Sequence, residues 1–147
     1  MKKIVVGVDG SEASVAALRW ALDTAAQTGA DVEAVHVYEI GLGWIDGYQP
    51  DIGRWIAEAQ AAAERMLAGI VTRESAAHPE VKVARTVIEG QAARTLLAQA
   101  SDADLLVVGT RGRGGLPGLL LGSVSNQCTH HSPCPVVVVP PKSGADA

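Results

Sequence analysis

Short apolar runs alternate with segments of helical periodicity along the chain, and this alternation is the strongest constraint on its fold. The runs are rich in Val, Ile and Leu and are bounded by turn residues, as buried strands are. They cover residues 4–8, 31–38, 81–88, 105–109 and 135–139. A strand–helix–strand order favours a parallel sheet covered by helices. We therefore predict an α/β fold, with an open five-stranded parallel sheet and helices on both faces.

The segments between these runs have the apolar spacing of amphipathic helices, as Val15, Leu18 and Leu22 illustrate in the first of them. Ser11 or Ser14 is suited to cap that helix, and Gly29 to end it. Residues 41–53 contain four glycines and no periodicity, which indicates a loop. The predicted helices cover residues 14–28, 54–77, 91–100 and 123–131.

Length and composition narrow the class of protein further. A chain of 147 residues suits one domain, predicted over residues 1–141 with a polar tail at 142–147. With no Phe, the core must consist of aliphatic side chains. A net charge of −4 argues against a nucleic-acid surface. We expect no signal peptide, no membrane span and, with two cysteines and no disulfide framework, a cytoplasmic setting.

Three segments that follow strand ends carry residues suited to binding a ligand. They are residues 9–11, the loop after Tyr38, and residues 109–122, where six of fourteen positions are glycine. Ligands of open parallel sheets bind outside the carboxyl ends of the strands, where strand order reverses. Glycine permits positive φ and close approach of a ligand, and successive exposed N–H groups bind anions. We expect the three segments to meet in one crevice.

The end of the glycine-rich stretch carries groups that suit a phosphate. Gly122 and Ser123 stand at a predicted helix start, where free N–H groups and the helix dipole favour an anion. Ser125 adds a second hydroxyl to that of Ser123, and Arg111 and Arg113 add positive charge. The Walker A lysine and the third glycine of the dinucleotide fingerprint are both missing. The glycines alone leave a phosphate cradle and a loop that binds nothing equally open.

Longer motifs favour the cradle. Gly109-x-x-Gly112, nine residues and then Gly122-Ser123 resembles the G-2x-G-9x-G-(S/T) signature of the nucleotide-binding, ATP-binding branch of the universal stress protein family. The opening IVVGVDGSEAS, the HVY of the second strand, and GSVS followed by PCPVVVVP resemble the same family. The resemblance covers essentially the whole chain. It implies a Rossmann-like, adenine nucleotide alpha-hydrolase-like sheet of five strands. This agrees with the alternation of apolar runs and helical segments along the chain.

The resemblance also implies a role for each matching residue. Asp9 is expected to bind the ribose hydroxyls and Val37 to pack on adenine. Gly109 and Gly112 are expected to let the backbone approach the ribose and phosphates. The implied ligand is ATP, which Mg²⁺ can accompany as a counter-ion of the phosphates. The predicted nucleotide-binding set is completed by Arg111, Arg113, Gly122, Ser123, Val124 and Ser125.

The implied function is regulatory: an ATP-binding protein of stress adaptation, with at most slow hydrolysis. Phosphoryl transfer needs acidic Mg²⁺ ligands and a residue that positions the nucleophile. Asp9 is the acid that the strand order places near the ligand, and the resemblance assigns it to ribose. We therefore predict no catalytic residue. The alternatives are a nucleotide hydrolase or adenylyl-transfer enzyme on the same fold, and a dimeric scaffold with a vestigial pocket.

A cluster of potential metal ligands occurs near the C-terminal end of the sequence. Cys128, His130, His131 and Cys134 lie within seven residues, but their spacing is not that of structural zinc sites. We predict that they bind no metal. His36, in the second strand, is predicted to be a sheet residue satisfied by hydrogen bonding rather than a catalyst.

The last strand, Val136–Val139, is short and apolar. At a sheet edge, such a strand invites pairing with a second copy of the chain, and the family resemblance likewise implies a homodimer through it. The alternative is an interior strand. Trp44 and Tyr48, in the loop after the second strand, suit either ligand covering or simple packing.

Overall fold

The computed structural model describes residues 1–40, 51–111 and 121–141. The predictions for residues 41–50 with Trp44 and Tyr48, for 112–120, and for the tail 142–147 lie outside the described residues. The strands are β1 (Lys3–Gly7), β2 (Asp31–Tyr38), β3 (Val83–Glu89), β4 (Leu105–Gly109) and β5 (Val136–Val139). The helices are α1 (Glu12–Thr28), α2 (Ile52–Ser75), α3 (Ala92–Gln99) and α4 (Ser123–His131).

The strands form one sheet in the order β3-β2-β1-β4-β5, and all neighbouring pairs are parallel. The predicted fold class is therefore confirmed. The chain builds outward from β1 to β3 and then crosses to β4 on the other side of β1. Strand order consequently reverses between β1 and β4, which is the switch point where ligands of such sheets bind. β5 is an edge strand, not an interior one.

Two aliphatic clusters cover the two faces of the sheet. Side chains alternate along each strand, so Ile4 and Val6 pack under α1 and α2, whereas Val5 packs under α3 and α4. Leu96 of α3 and Cys128 of α4 belong to the second cluster. The buried hydrophobic residues are Ile, Val, Leu, Ala and Cys128, as the composition predicts.

The first helix has a capping residue at each end. The Ser11 hydroxyl oxygen accepts a hydrogen bond from Ser14 N–H at 3.2 Å, which identifies Ser11 as the N-cap. Gly29 has a φ of 80° and donates its N–H to the Ala25 carbonyl at 2.8 Å.

In the described ranges, no helix has both the length and the apolar character that crossing a membrane requires.

Several element boundaries differ from the prediction by one or two residues, and local hydrogen bonds explain two of these differences. Trp55 N–H donates to the Asp51 carbonyl, so α2 begins at Ile52 and includes Gly53 in its first turn. Val81 N–H donates to the His78 carbonyl, so Val81 belongs to a turn and β3 begins at Val83. Gly53 indicates a loop and Val81 indicates a strand. Hydrogen bonds with neighbouring residues nevertheless decide where α2 and β3 begin.

Candidate functional site

A cleft lies at the switch point, outside the carboxyl ends of β1, β2 and β4. It contains about 510 Å³ of empty space, including the part that is open to solvent. The predicted residues that line it are Asp9, Val37, Gly109, Arg111, Val124 and Ser125. Gly122 and Ser123 stand at the start of α4, beside Val124, and do not themselves line the described part of the cleft. Gly112 and Arg113 lie outside the described residues.

Asp9 occupies the turn between β1 and α1. Gly10 has a φ of 87°, in the left-handed region that favours glycine, and this reverses the chain into the helix. The Asp9 Oδ1 atom accepts a hydrogen bond from Ser11 N–H at 2.9 Å, and Asp9 N–H donates to Ser14 Oγ at 3.2 Å. The sequence Asp-Gly-Ser therefore builds a hydrogen-bonded turn that holds a carboxylate at the cleft.

Gly109, at the end of β4, lies directly against the first turn of α1. A Cβ atom at this position would be 2.7 Å from both the carbonyl carbon and the Cβ of Ala13. Real Cβ atoms do not approach backbone so closely, so no larger residue fits without a shift. The family resemblance implies a ligand-based reason for this glycine, and the structure adds a packing reason.

The two ends of the glycine-rich stretch are joined at Thr110. Its carbonyl accepts hydrogen bonds from Gly122 N–H at 2.6 Å and from the Ser125 hydroxyl at 2.7 Å. Thr110 N–H donates to the Val139 carbonyl of β5 at 2.9 Å. Ser125 is only 3% exposed, so its hydroxyl proton is directed into the protein in this arrangement. Ser123, by contrast, is exposed at the start of α4.

One side of the cleft is apolar and includes residues that the sequence analysis did not single out. Leu96 and Ala92 of α3 line it together with Val37 and Val108. Ala92 and Leu96 are four residues apart and so share one face of α3. Ser14 of α1 also lines the cleft. The apolar pair at this spacing, in the helix that follows β3, is the sequence feature that could have predicted these cleft residues.

His36 is half-buried, and its Nδ1 atom lies 2.8 Å from the Val8 carbonyl oxygen. A carbonyl can only accept a hydrogen bond, so Nδ1 carries the proton and donates it. The ring also stacks on Tyr38, with 6.5 Å between the ring centroids. This confirms the prediction of a satisfied sheet histidine.

The Cys/His segment has a different environment at each residue. Cys128 is fully buried, and burial raises the pKa of its thiol to about 11, so the thiol stays protonated at neutral pH. Both Cys128 and Cys134 are free cysteines, and His130 and His131 are exposed. Across residues 1–40, 51–111 and 121–141, no three His, Cys, Asp or Glu side chains are grouped to hold a metal ion.

Known sequences match nearly the whole chain. The model of the universal stress protein family matches residues 1–140. A universal stress protein of Mycolicibacterium smegmatis is 41% identical over 140 residues, which are 95% of this chain and 46% of that protein. The chain thus spans less than half the length of this curated relative.

Solved structures share the fold at lower identity. The universal stress protein UspA of Lactobacillus plantarum is 22% identical, with a TM-score of 0.78 over 94% of this chain and 97% of that one. A universal stress protein in complex with cAMP is 26% identical, with a TM-score of 0.68 over 96% and 98% of the two chains. A family protein of Arabidopsis thaliana with AMP bound is 20% identical, with a TM-score of 0.69 over 98% and 94%. The sheet order, the family match and these relatives agree: the chain belongs to the universal stress protein family.

Proposed function

We propose that the chain binds an adenine nucleotide, ATP, in the cleft at the switch point and acts as a regulator of stress adaptation through that binding. One observation carries the proposal: Asp9, Val37, Gly109 and Val124 reach a single cleft from three strand ends and one helix. Two solved family members have cAMP or AMP bound, which supports an adenine nucleotide as the ligand class.

The apolar side of the cleft suits a purine base. Val37, Val108, Leu96 and Val124 provide aliphatic surface in the cleft, and ligand sites are lined mainly by such side chains. A flat base that covers this surface removes it from water, which favours binding. We expect the adenine ring to pack on Val37.

The backbone of β2 offers polar groups for the edge of the base. Peptide groups of successive strand residues point to opposite sides, and the Tyr38 carbonyl accepts from Gly90 N–H on the β3 side. The Val37 peptide therefore faces the β1 side. Because β1 ends at Gly7, we expect the N–H and C=O of Val37 to serve as a donor and acceptor for adenine.

The polar side of the cleft suits ribose and phosphate. Asp9 lines the cleft, and we expect its carboxylate to accept hydrogen bonds from the ribose hydroxyls. Gly122 and Ser123 begin α4, whose N-terminal N–H groups favour a phosphate. Mg²⁺ would supply positive charge to the phosphates. We expect the phosphate contacts to be completed by consecutive residues after Thr110: Arg111, Gly112 and Arg113.

The residues of the cleft favour binding over rapid turnover. Among the described residues that line it, Asp9 is the one acid, and the proposal assigns it to ribose. Phosphoryl transfer needs acidic metal ligands and a residue that positions the nucleophile. We therefore propose that any ATP hydrolysis is slower than about 1 s⁻¹, the low end of ordinary enzyme rates.

The test is nucleotide binding by calorimetry, with the small molecules that purified protein releases on denaturation identified by mass. Asp9→Ala should weaken ATP binding by about tenfold or more, since hydrogen bonds to a charged group contribute about 1.5–3 kcal/mol. Asp31→Ala is the matched control, because Asp31 is an exposed carboxylate at the opposite end of the sheet. Equal affinity in both variants and the wild type would refute the proposed site.

We also propose that two copies pair through β5. Leu106 N–H donates to the Pro135 carbonyl and Thr110 N–H to the Val139 carbonyl, so these residues face β4. The alternating peptide groups of Val136 and Val138 then face outward from the sheet edge, where a second β5 can pair with them. We place the protein in the cytoplasm, where its two free thiols remain reduced.

A further inference from the structure

His36 lies outside the set of residues predicted to touch the ligand, yet it contacts the segment that carries Asp9. Its Nδ1–H donates to the carbonyl of Val8, the residue immediately before Asp9, across 2.8 Å. His36 belongs to β2, whereas Val8 follows β1. The imidazole therefore connects the ribose-binding turn to the neighbouring strand.

The contact lies where the β1–β2 ladder ends. Val8 N–H donates to the Val35 carbonyl at 2.8 Å. In a parallel ladder that continued, the Val8 carbonyl would accept from the N–H of Val37. The imidazole N–H donates to this carbonyl instead, at the point where β1 and β2 separate. A side chain therefore satisfies the Val8 carbonyl.

The other contacts that hold the turn come from α1 and its cap. Asp9 N–H donates to Ser14 Oγ, and Ser11 N–H donates to Asp9 Oδ1. These bonds fix the turn relative to the first turn of α1. Two contacts hold this segment against β2: the bond from Val8 N–H to the Val35 carbonyl and the His36 contact. The His36 contact is the one made by a side chain, and it lies one residue before Val37.

We propose that His36 is a positioning residue of the nucleotide site, which holds Asp9 at the correct distance from Val37. Base and ribose are joined by one bond, so a nucleoside contacts both residues only if their separation is right. The inference rests on the proposed nucleotide binding. It predicts that loss of the imidazole donor impairs recognition of the ribose more than recognition of the rest of the ligand.

Two variants and two ligands test the proposal. His36→Leu removes the donor, whereas His36→Asn keeps an N–H donor at about the position of Nδ1. ATP and 2′,3′-dideoxy-ATP differ in the ribose hydroxyls that Asp9 is expected to bind. The wild type should prefer ATP by about tenfold, the size expected for a lost charge-assisted hydrogen bond.

In His36→Leu this preference should fall to about twofold or less, while affinity for the dideoxy compound changes by less than about threefold. His36→Asn should keep most of the preference. If His36 has a merely structural role, His36→Leu should weaken the binding of both ligands equally and leave the ratio of their affinities unchanged. That result would overturn the proposal. Far-UV circular dichroism and thermal unfolding of each variant show whether the fold is retained.

A ligand-free measurement separates this inference from the proposed function. Hydrogen exchange of the Asp9 and Ser11 amides should be about fivefold faster or more in His36→Leu, and close to wild type in His36→Asn. Unchanged exchange in His36→Leu would overturn the anchoring role. Wild-type protein that binds neither nucleotide would refute the proposed function, and the exchange data would still decide whether His36 holds the turn.

Discussion

At the scale of single residues, glycines of this chain differ sharply in what a methyl group would meet. A Cβ on Gly109 would lie 2.7 Å from Ala13 backbone, whereas a Cβ on Gly69, within α2, would meet nothing within 4 Å. We predict that Gly109→Ala destabilises the fold by about 1–3 kcal/mol, the usual cost of overpacking. Denaturant unfolding measures this change.

Gly69→Ala is the matched control. Alanine favours helix over glycine, so this variant should be about 0.5–1 kcal/mol more stable than the wild type. If both variants changed stability in the same direction, the close contact between β4 and α1 would not be the reason for Gly109.

The two serines of α4 should also behave differently. Ser125 is buried and donates to the Thr110 carbonyl, so Ser125→Ala should lower the free energy of unfolding by about 1 kcal/mol. Ser123→Ala removes an exposed hydroxyl and should leave stability within about 0.5 kcal/mol of the wild type. Under the proposed function, Ser123→Ala should weaken ATP binding directly. Unfolding curves and calorimetry of both variants give the comparison.

At the scale of elements, an ion pair joins α1 and α2. Arg19 Nε and Nη2 donate to the two carboxylate oxygens of Glu74 at 2.6 and 3.2 Å, and the Glu74 side chain is 9% exposed. The hydrogen bond from Arg19 lowers the pKa of Glu74 below its ordinary value of 4.5. A lowered pKa means that the pair stabilises the fold above that value, and that this contribution is lost as pH falls through the folded-state pKa.

We predict that Glu74→Gln lowers the free energy of unfolding by about 1 kcal/mol at pH 7. The difference from the wild type should shrink below pH 4.5, because acid then protonates the wild-type carboxylate as well. Glu58→Gln is the control, since Glu58 forms an exposed i,i+4 pair with Arg54 and should change stability by less than about 0.5 kcal/mol. A Glu74→Gln effect that persisted unchanged at pH 3 would contradict the assignment.

The elements themselves could be predicted where one local pattern dominates. The bounds of β2 and β4 follow from apolar runs, and Ser11 and Gly29 bracket α1 as capping residues do. The α2 start could not be predicted, because Gly53 indicates a loop while the Asp51 carbonyl already accepts a helical hydrogen bond. Local propensity is weak, and hydrogen bonds formed in the fold override it.

The site was predictable to a similar degree. Val37 and Gly109 lie at the carboxyl ends of β2 and β4, and Asp9 lies two residues after β1, so all three come to one edge of a parallel sheet. Leu96 and Ser14 line the same cleft from helices. Leu96 and Ser14 reach the cleft because the chain crosses from β3 to β4 and because α3 and α1 pack beside it. The spacing of residues within one segment predicts neither of these arrangements.

At the scale of the whole molecule, the two edge strands of the sheet differ in how exposed their side chains are. β5 presents four half-buried valines at one edge, and β3 presents the exposed Ala84 and Arg85 at the other. If two copies pair through β5, Val138→Pro should yield a folded monomer. Proline there removes an outward N–H without removing a bond to β4. Light scattering measures the mass.

Arg85→Pro provides the comparison. The Lys82 carbonyl accepts from Val32 N–H, so the peptide of Arg85 faces away from β2, at the outer edge of β3. Both variants introduce the same residue with the same loss of a donor, and only the edge differs. We expect Arg85→Pro to remain dimeric. A dimer in both variants would mean that the copies meet elsewhere.

The contact between Gly109 and Ala13 bears on how relatives of this chain evolve. A relative that binds no nucleotide would need a residue without a side chain at position 109 all the same, since α1 packs against this position whether or not a ligand is present. Selection on folding alone maintains this glycine. The Ser123 side chain is exposed at the start of α4, so retention of this serine is the more telling sign that a lineage uses the cleft.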